Sequence, residues 1–297
     1  MTVTLNPGRI GIWTALLDAQ PAARAAETVA ELESMGYGAV WIPETVGRDS
    51  LVHAGLLLGG SQKIVVATGI ANVYARDALA MASGARTLAE AYPDRFLLGV
   101  GVSHEPLVAG VRGHDWDRPL AYLRRYLETM ASAPYWAHRP AVEPPICVGA
   151  LGPRALALAA ELTWGAHPYN VTAAHTAEAR DLMGPDALLA PMAAVTVETD
   201  PTRARDIGRK TLGFYLDLPN YRNSLIRQGF ENDDFVDGGS DRLIDAVRPW
   251  GDLDTVVRSV VDHLDAGADH VCVQVMNPSD GGLPLDEWRS LASALVG

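Results

Sequence analysis

The sequence predicts an α/β chain folded as a closed (β/α)8 TIM barrel. Three observations carry that expectation. Eight short apolar runs with strand character recur along 297 residues, and a helical pattern precedes or follows each. Helical stretches end repeatedly in a glycine placed just before the next strand. The first run, Ile10-Gly-Ile-Trp-Thr14, lacks the Gly-x-Gly-x-x-Gly turn with which a doubly wound open sheet usually begins. With 48% hydrophobic residues the chain has material for one large domain, taken as 1–297.

The elements follow in order. Ile10–Trp13 is the first strand. Segment 21–35 is Ala-rich, spaces Ala26, Val29 and Ala30 on one helical face, and has Pro21 in its first turn. Gly36 suits its C-terminal cap. Strand two covers 39–43 and ends at Glu44; strand three covers 64–70. Strand four, 96–102, contains Gly99 and Gly101 and stops at Ser103, His104 and Glu105. Polar side chains just past the C-terminal end of a buried parallel strand are where α/β enzymes keep their chemistry. Ile146–Val148 is the fifth strand, and a helix over 155–162 leads through Gly165 to a short sixth strand running into His167 and Pro168. Met192–Val197 is the seventh. A helix over 256–265, capped by Gly267, precedes the eighth, Val271–Val275. Segment 218–250, rich in Asn, Asp, Gly and Arg, is too long for an ordinary connection. It is expected to be an insertion between strands seven and eight, and it fits a surface excursion and a lid over the barrel mouth equally.

The totals exclude several classes of function. With 24 basic and 36 acidic residues the net charge is -12, the wrong sign for a nucleic-acid partner. No window is apolar for long enough to span a membrane. The start, Met1-Thr-Val-Thr-Leu-Asn-Pro7, has no basic region followed by an apolar run, so no secretory leader is expected. Cys147 and Cys272 are too far apart for a paired metal or redox motif. As buried thiols they suit a reducing cytoplasm. His53, His114 and His138 are isolated from carboxylates at ligand spacing, the first strand has no His-x-His, and no Gly-x-Ser-x-Gly elbow occurs, so neither a metal site nor a serine nucleophile is expected.

Four segments fall at strand C-termini: Glu44 with Thr45, Thr68-Gly69-Ile70-Ala71-Asn72, Gly99-Val-Gly-Val-Ser-His104, and Val148-Gly149-Ala150-Leu151-Gly152-Pro153-Arg154. Together with Tyr92-Pro-Asp-Arg-Phe-Leu-Leu-Gly-Val-Gly101 they resemble the bacterial luciferase-like superfamily. Gly165-Ala-His-Pro-Tyr-Asn-Val-Thr172 and Ser240-Asp-Arg-Leu-Ile-Asp245 make the chain look most like the branch that uses the deazaflavin coenzyme F420. The resemblance runs from Gly8 to Val275. It implies a cofactor lying across the C-terminal mouth of the barrel. It implies a bulge with a non-prolyl cis peptide at or near Gly69 and Ile70, with Ala71 and Asn72 beside it, backing the ring. Ser103 would flank that ring. The cofactor phosphate would sit at Gly149, Leu151, Gly152 and Arg154. That turn has its own physical case, because amides at a helix N-terminus favour phosphate and Arg154 adds a fork of donors. Taken alone, any βα connection can look similar.

The resemblance places an acid near ring and substrate at Glu44. Relatives of the dehydrogenase kind carry a His beside that acid, where this chain has Thr45. His104 is then the candidate for proton transfer, since His titrates near neutrality, with Glu105 to tune it. A loop His bonded to backbone is the other reading. Trp13 and His167 to Tyr169 end strands one and six, where they would line the pocket or simply pack. The expected activity is hydride transfer between coenzyme F420 and an unidentified small organic substrate, in a cytoplasmic homodimer. An FMN-dependent monooxygenase is the alternative, and a non-catalytic binding protein on the same fold is a third.

Overall fold

The apolar runs become strands because helices cover one face of the sheet and the closed barrel fills the other, so nearly every strand position loses contact with water, Val197 at the end of its strand excepted. The computed structural model describes residues 4–276 and 282–297. The expectation of no leader also covers residues 1–3, which lie outside the described residues. The barrel strands are β1 Ile10–Trp13, β2 Ala39–Ile42, β3 Val65–Thr68, β4 Phe96–Gly101, β5 Ile146–Val148, β6 Gly165–Ala166, β7 Met192–Val197 and β8 Val271–Val275. Neighbours pair in parallel: Gly11 lies opposite Ala39 of β2 and Cys272 of β8. Leu188–Leu189 pairs with β6, and Met192–Val197 pairs with β8. These two pieces are one strand interrupted at Pro191, which has no N–H to give. Ala190 N donates to Ala166 O at 2.9 Å and Met192 N to Pro168 O at 2.8 Å, which closes the circle. The barrel expected from the sequence is therefore the fold.

Strands one, five, seven and eight have the expected bounds. The third is shorter than 64–70. It stops at Thr68, where the Gly69–Ile70 peptide is cis, and Ala71–Asn72 pairs separately with β4. Helix α1, Ala22–Ser34, begins after Pro21, whose extended backbone makes it the cap rather than the first turn. Gly36 and Gly267 take φ of 93° and 98°, which ends α1 and the helix Leu253–Asp265 as expected. The remaining helices before that one are α2 Ser50–Gly59, α3 Ala78–Ala91, α4 Pro119–Ser132, α5 Pro153–Leu162, α6 Ala173–Met183, α7 Pro201–Leu216, α8 Pro219–Arg227 and α9 Asp241–Val247; Leu253–Asp265 is α10 and Leu285–Leu295 α11. Among the described residues no helix is long and apolar enough to cross a membrane.

The lumen is filled by side chains that need close strand approach. Trp41 is fully buried, stacks on His167 with centroids 4.4 Å apart, and donates through Nε1 to His270 Nε2 at 3.0 Å. His270 Nδ1 faces Gly8 O at 2.8 Å, and His167 Nδ1 faces Ala190 O at 2.8 Å. A carbonyl accepts only, so each Nδ1 carries the proton. Gly99 has no alternative: a Cβ there would stand 1.9 Å from Thr68 O. Both cysteines are buried and free. Segment 218–250 is not irregular. It holds α8, α9 and the short strand Trp250–Gly251, which pairs with β7. With α7 it builds a separate apolar cluster that includes Leu212, Leu225, Phe235 and Ile244.

Burial holds His167, His263 and His270 at about 4, below the ordinary 6.5. Between those values the unfolded chain takes up protons that the folded chain refuses, so stability rises with pH across the window. The contribution is complete above about pH 6.5 and is lost towards pH 4, at most about 3 kcal/mol per group. The melting temperature should fall on the order of 10 °C between pH 7 and 4.5. Scanning calorimetry checks this; a flat profile over that interval contradicts it.

Candidate active site

The C-terminal ends of β2 and β3 are tied by one acid. Glu44 follows β2 and is 6% exposed. Its Oε1 accepts from Ser50 N at 3.2 Å, at the start of α2. Its Oε2 accepts from Asn72 N at 2.8 Å and Arg76 Nη1 at 3.0 Å, while Arg76 Nη2 reaches Oε1. Arg76 Nη2 also donates to Asp49 Oδ2 at 2.6 Å. Burial works against the Arg76 charge, but Glu44 and then Asp49 outweigh it and hold its pKa above the ordinary arginine value. Both Glu44 oxygens are thus engaged by donors of the protein itself.

The segment 69–72 is pinned on several sides. Gly69 N donates to Ile42 O at 2.7 Å, and Gly69 O accepts from Trp13 Nε1 at 2.9 Å. Ile70 O accepts from Glu44 N at 3.2 Å. A Cβ on Gly69 would lie 2.8 Å from Trp13 Nε1 and 2.9 Å from His167 Nε2. The Ile70 side chain fills space that Gly101 and Gly149 leave open, since a Cβ on either would meet it at 2.9 Å and 3.3 Å. Ala71 and Asn72 are fully buried. Asn72 Oδ1 accepts from Tyr74 N at 2.9 Å, but its Nδ2, like His167 Nε2, has no partner among the described residues. A buried, unsatisfied amide is costly unless a ligand or water completes it.

Past β4 the chain turns at Ser103, with φ of 63°, into His104. The His104 ring packs against Tyr221 and Tyr215, centroids 5.5 Å and 6.4 Å away. Burial pulls its pKa down to about 4, so the ring is neutral at pH 7. Glu105 is exposed and takes no part in that shift. His104 O accepts from Leu107 N and Val108 N, starting a short helical turn, Pro106–Val111. Arg112 Nη2 then donates to Thr45 O at 2.8 Å, linking the loops after β4 and β2.

The turn 149–154 opens α5 behind Gly152, with no side chain capping it. Asp or Thr side chains cap α2, α3, α6, α7 and α10, while α1, α4, α8 and α11 are uncapped like α5. Gly149 N is used by Val100 O, and Leu151 O accepts from His175 Nε2 at 2.9 Å and Arg227 Nη2 at 3.3 Å. Arg154 is exposed. Tyr169, after β6, packs on Trp13 with centroids 5.1 Å apart and donates to Gln274 Oε1 at 2.9 Å.

The candidate residues form connected groups: Glu44 with 69–72, Gly149 against Ile70, and 149–154 across β5. Glu44 and His104 do not meet, since the first is enclosed by Ser50, Asn72 and Arg76 and the second by tyrosines. Sequence reasoning missed Arg76, Tyr215 and Tyr221, which no spacing or motif marks. It also took His53 as isolated. The fold sets its Nδ1 3.1 Å from Asp18 Oδ1, from the loop after β1.

Comparison with known proteins agrees with this architecture. A candidate coenzyme F420-dependent oxidoreductase of Mycobacterium tuberculosis is 28% identical over 187 residues, 53% of this chain. The match spans 54% of that relative, so the chain covers about half the length of the protein it resembles. An F420-dependent secondary alcohol dehydrogenase solved with an F420-acetone adduct superposes with a TM-score of 0.76 at 15% identity, covering 98% of this chain and 99% of that one. The oxygenating constituent of 3,6-diketocamphane monooxygenase from Pseudomonas putida, solved with FMN, gives 0.71 at 14% identity, covering 97% and 98%. At such identities these two structures speak for the fold alone. The model of the luciferase-like monooxygenase family matches residues 7–270, nearly the whole barrel with its mouth, and the chain belongs to that family.

Proposed function

We propose that this protein is an oxidoreductase that moves a hydride between coenzyme F420 and a small organic substrate. The observation that carries the reading is the segment 69–72, fixed by Glu44 and Trp13 and holding the buried, unpartnered Asn72 Nδ2. Such an edge fits a flat heteroaromatic ring with acceptor atoms on its rim. The bare N-terminus of α5 fits a phosphate. Gly69, Ile70, Ala71, Asn72 and Ser103 would hold the ring, and Gly149, Leu151, Gly152 and Arg154 the phosphate. The choice of deazaflavin leans on the M. tuberculosis relative and its description. An FMN-dependent monooxygenase is the second reading, favoured by the family's description and the FMN complex.

When bound, the deazaflavin supplies the carbon that gives or accepts hydride. The protein orients, excludes water and manages the proton. His104, neutral and next to the tyrosines, is suited to take the proton of a substrate hydroxyl or return it. Glu44 has both oxygens engaged, so its role is positioning: it sets Asn72 and the 69–72 segment. The insertion 218–250 acts as a lid, with Tyr221 and the neighbouring Tyr215 over His104. Free buried thiols suit a cytoplasmic setting. Exposed Val52, Leu56 and Leu79 on α2 and α3 give a face on which two copies would pair.

Titration of the purified protein with F420 and with FMN, followed by fluorescence, tests the cofactor. Saturable binding of F420 with little response to FMN is expected. Tight FMN binding without F420 binding overturns the deazaflavin reading, and binding of neither supports a non-catalytic protein.

His104→Gln should lower kcat about 100-fold and leave F420 affinity unchanged. A base must be neutral to act, so the wild-type acid limb in kcat/KM should lie near pH 4 and vanish in the variant. Glu44→Gln should instead weaken F420 binding about tenfold, because Arg76 keeps only Asp49 as a partner charge. Unchanged turnover in His104→Gln, or unchanged cofactor affinity in Glu44→Gln, sinks the respective assignment.

A further inference from the structure

We infer that Arg248 is the recognition residue for a carboxylate on the substrate, held beside the 69–72 segment at the barrel mouth. The inference rests on the oxidoreductase reading above and narrows its substrate to a small organic acid.

It starts from a buried cation. Arg248 follows α9 and is 1% exposed. Its Nη2 donates to Asn170 Oδ1 at 2.7 Å and its Nη1 to Val247 O at 3.2 Å. Those acceptors are neutral, and Nε has no partner among the described residues. Arg76, by contrast, is paired with Glu44 and Asp49. An isolated buried charge is among the costliest arrangements in a protein, and a counter-ion relieves it. The tyrosines nearby do not serve as one. Burial raises the Tyr169 and Tyr221 hydroxyls well above the ordinary value, so they stay neutral beside the guanidinium.

Further donors stand on the residues bonded to Arg248 and to the segment that carries it. Asn170 is 2% exposed, and its Nδ2 also has no partner among the described residues. Thr196, at the inward-facing end of β7, leaves its Oγ1 equally unpartnered. Its backbone N–H donates to Pro249 O at 3.0 Å, which brings it against the segment that carries Arg248. Two unsatisfied N–H donors and a hydroxyl that can turn its proton alongside theirs describe a cradle for an anion.

The cradle shares walls with the proposed reaction centre. Tyr169 precedes Asn170 and packs on Trp13, the residue that holds Gly69 O. Tyr221 contacts both Tyr215 and His104. One cation stands here with neutral companions. A carboxylate monoanion would balance it, whereas a phosphate dianion would leave excess charge in an aromatic interior. A planar carboxylate also matches the spread of a guanidinium edge and an amide.

The test uses the protein without deazaflavin, so it stands or falls separately from the cofactor titration. Acetate, hexanoate and benzoate are titrated against acetamide, hexanamide and benzamide, with inorganic phosphate as the other anion. Tryptophan fluorescence and melting temperature are read. Carboxylates should bind and stabilise, while the amides and phosphate should not at the same concentration. Arg248→Met should lose about tenfold or more of the carboxylate affinity, and Asn170→Ala a smaller factor. Should Arg248→Met fail to fold, Arg248→Lys and the acid-against-amide contrast in the wild type decide. Equal binding of acids and amides, no acid binding at all, phosphate binding tighter than the acids, or wild-type affinity in a folded Arg248 variant overturns the inference.

Discussion

A single buried carboxylate organises the mouth of this barrel. Glu44 receives donors from the start of α2, from the 69–72 segment and from Arg76. A charge this deep is tolerated only with such complete pairing. The pairing in turn fixes where each donor stands. Asn72 cannot rotate its backbone without leaving Glu44, and Ser50 cannot shift without moving the N-terminus of α2. The segment that would back the cofactor ring is therefore preorganised before any ligand arrives.

Beneath that layer the lumen does comparable work with neutral groups. Trp41 spans between His167 and His270, and each imidazole spends its proton on a backbone carbonyl. The strands come close enough for this only because Gly11 and Gly99 carry no side chain: a Cβ on Gly11 would stand 2.8 Å from the His270 ring. The floor under the mouth is thus a polar but uncharged stack. It supports Gly69 from below, where Trp13 supports it from the side.

Much of the fold was legible in the sequence, because parallel strands buried on both faces advertise themselves as short apolar runs. Four of eight had their bounds correct. The third was overrun because its end is set by pairing with β4, not by local composition. The C-terminal end of the fourth strand, where the site is proposed, was legible for the same reason, since polar residues follow Gly101. The cis peptide at 69 and 70 was readable only through the family resemblance. What stayed hidden are contacts between distant residues: Arg76 with Glu44, His53 with Asp18, and Arg248 with Asn170, 78 positions apart. The polar composition of 218–250 also hid its helices, since α8 and α9 are only 9 and 7 residues long.

The helices α7 to α9 keep an apolar core of their own, apart from the barrel's. The residues proposed to hold the ring sit on the β2 to β5 side, while Tyr215, Tyr221 and Arg248 come from this separate unit. On the proposed reading, drift within the unit would reshape what is admitted to the mouth while the network around Glu44 stays intact. A lineage built this way can exchange substrates as a graft exchanges fruit, on rootstock that does not change.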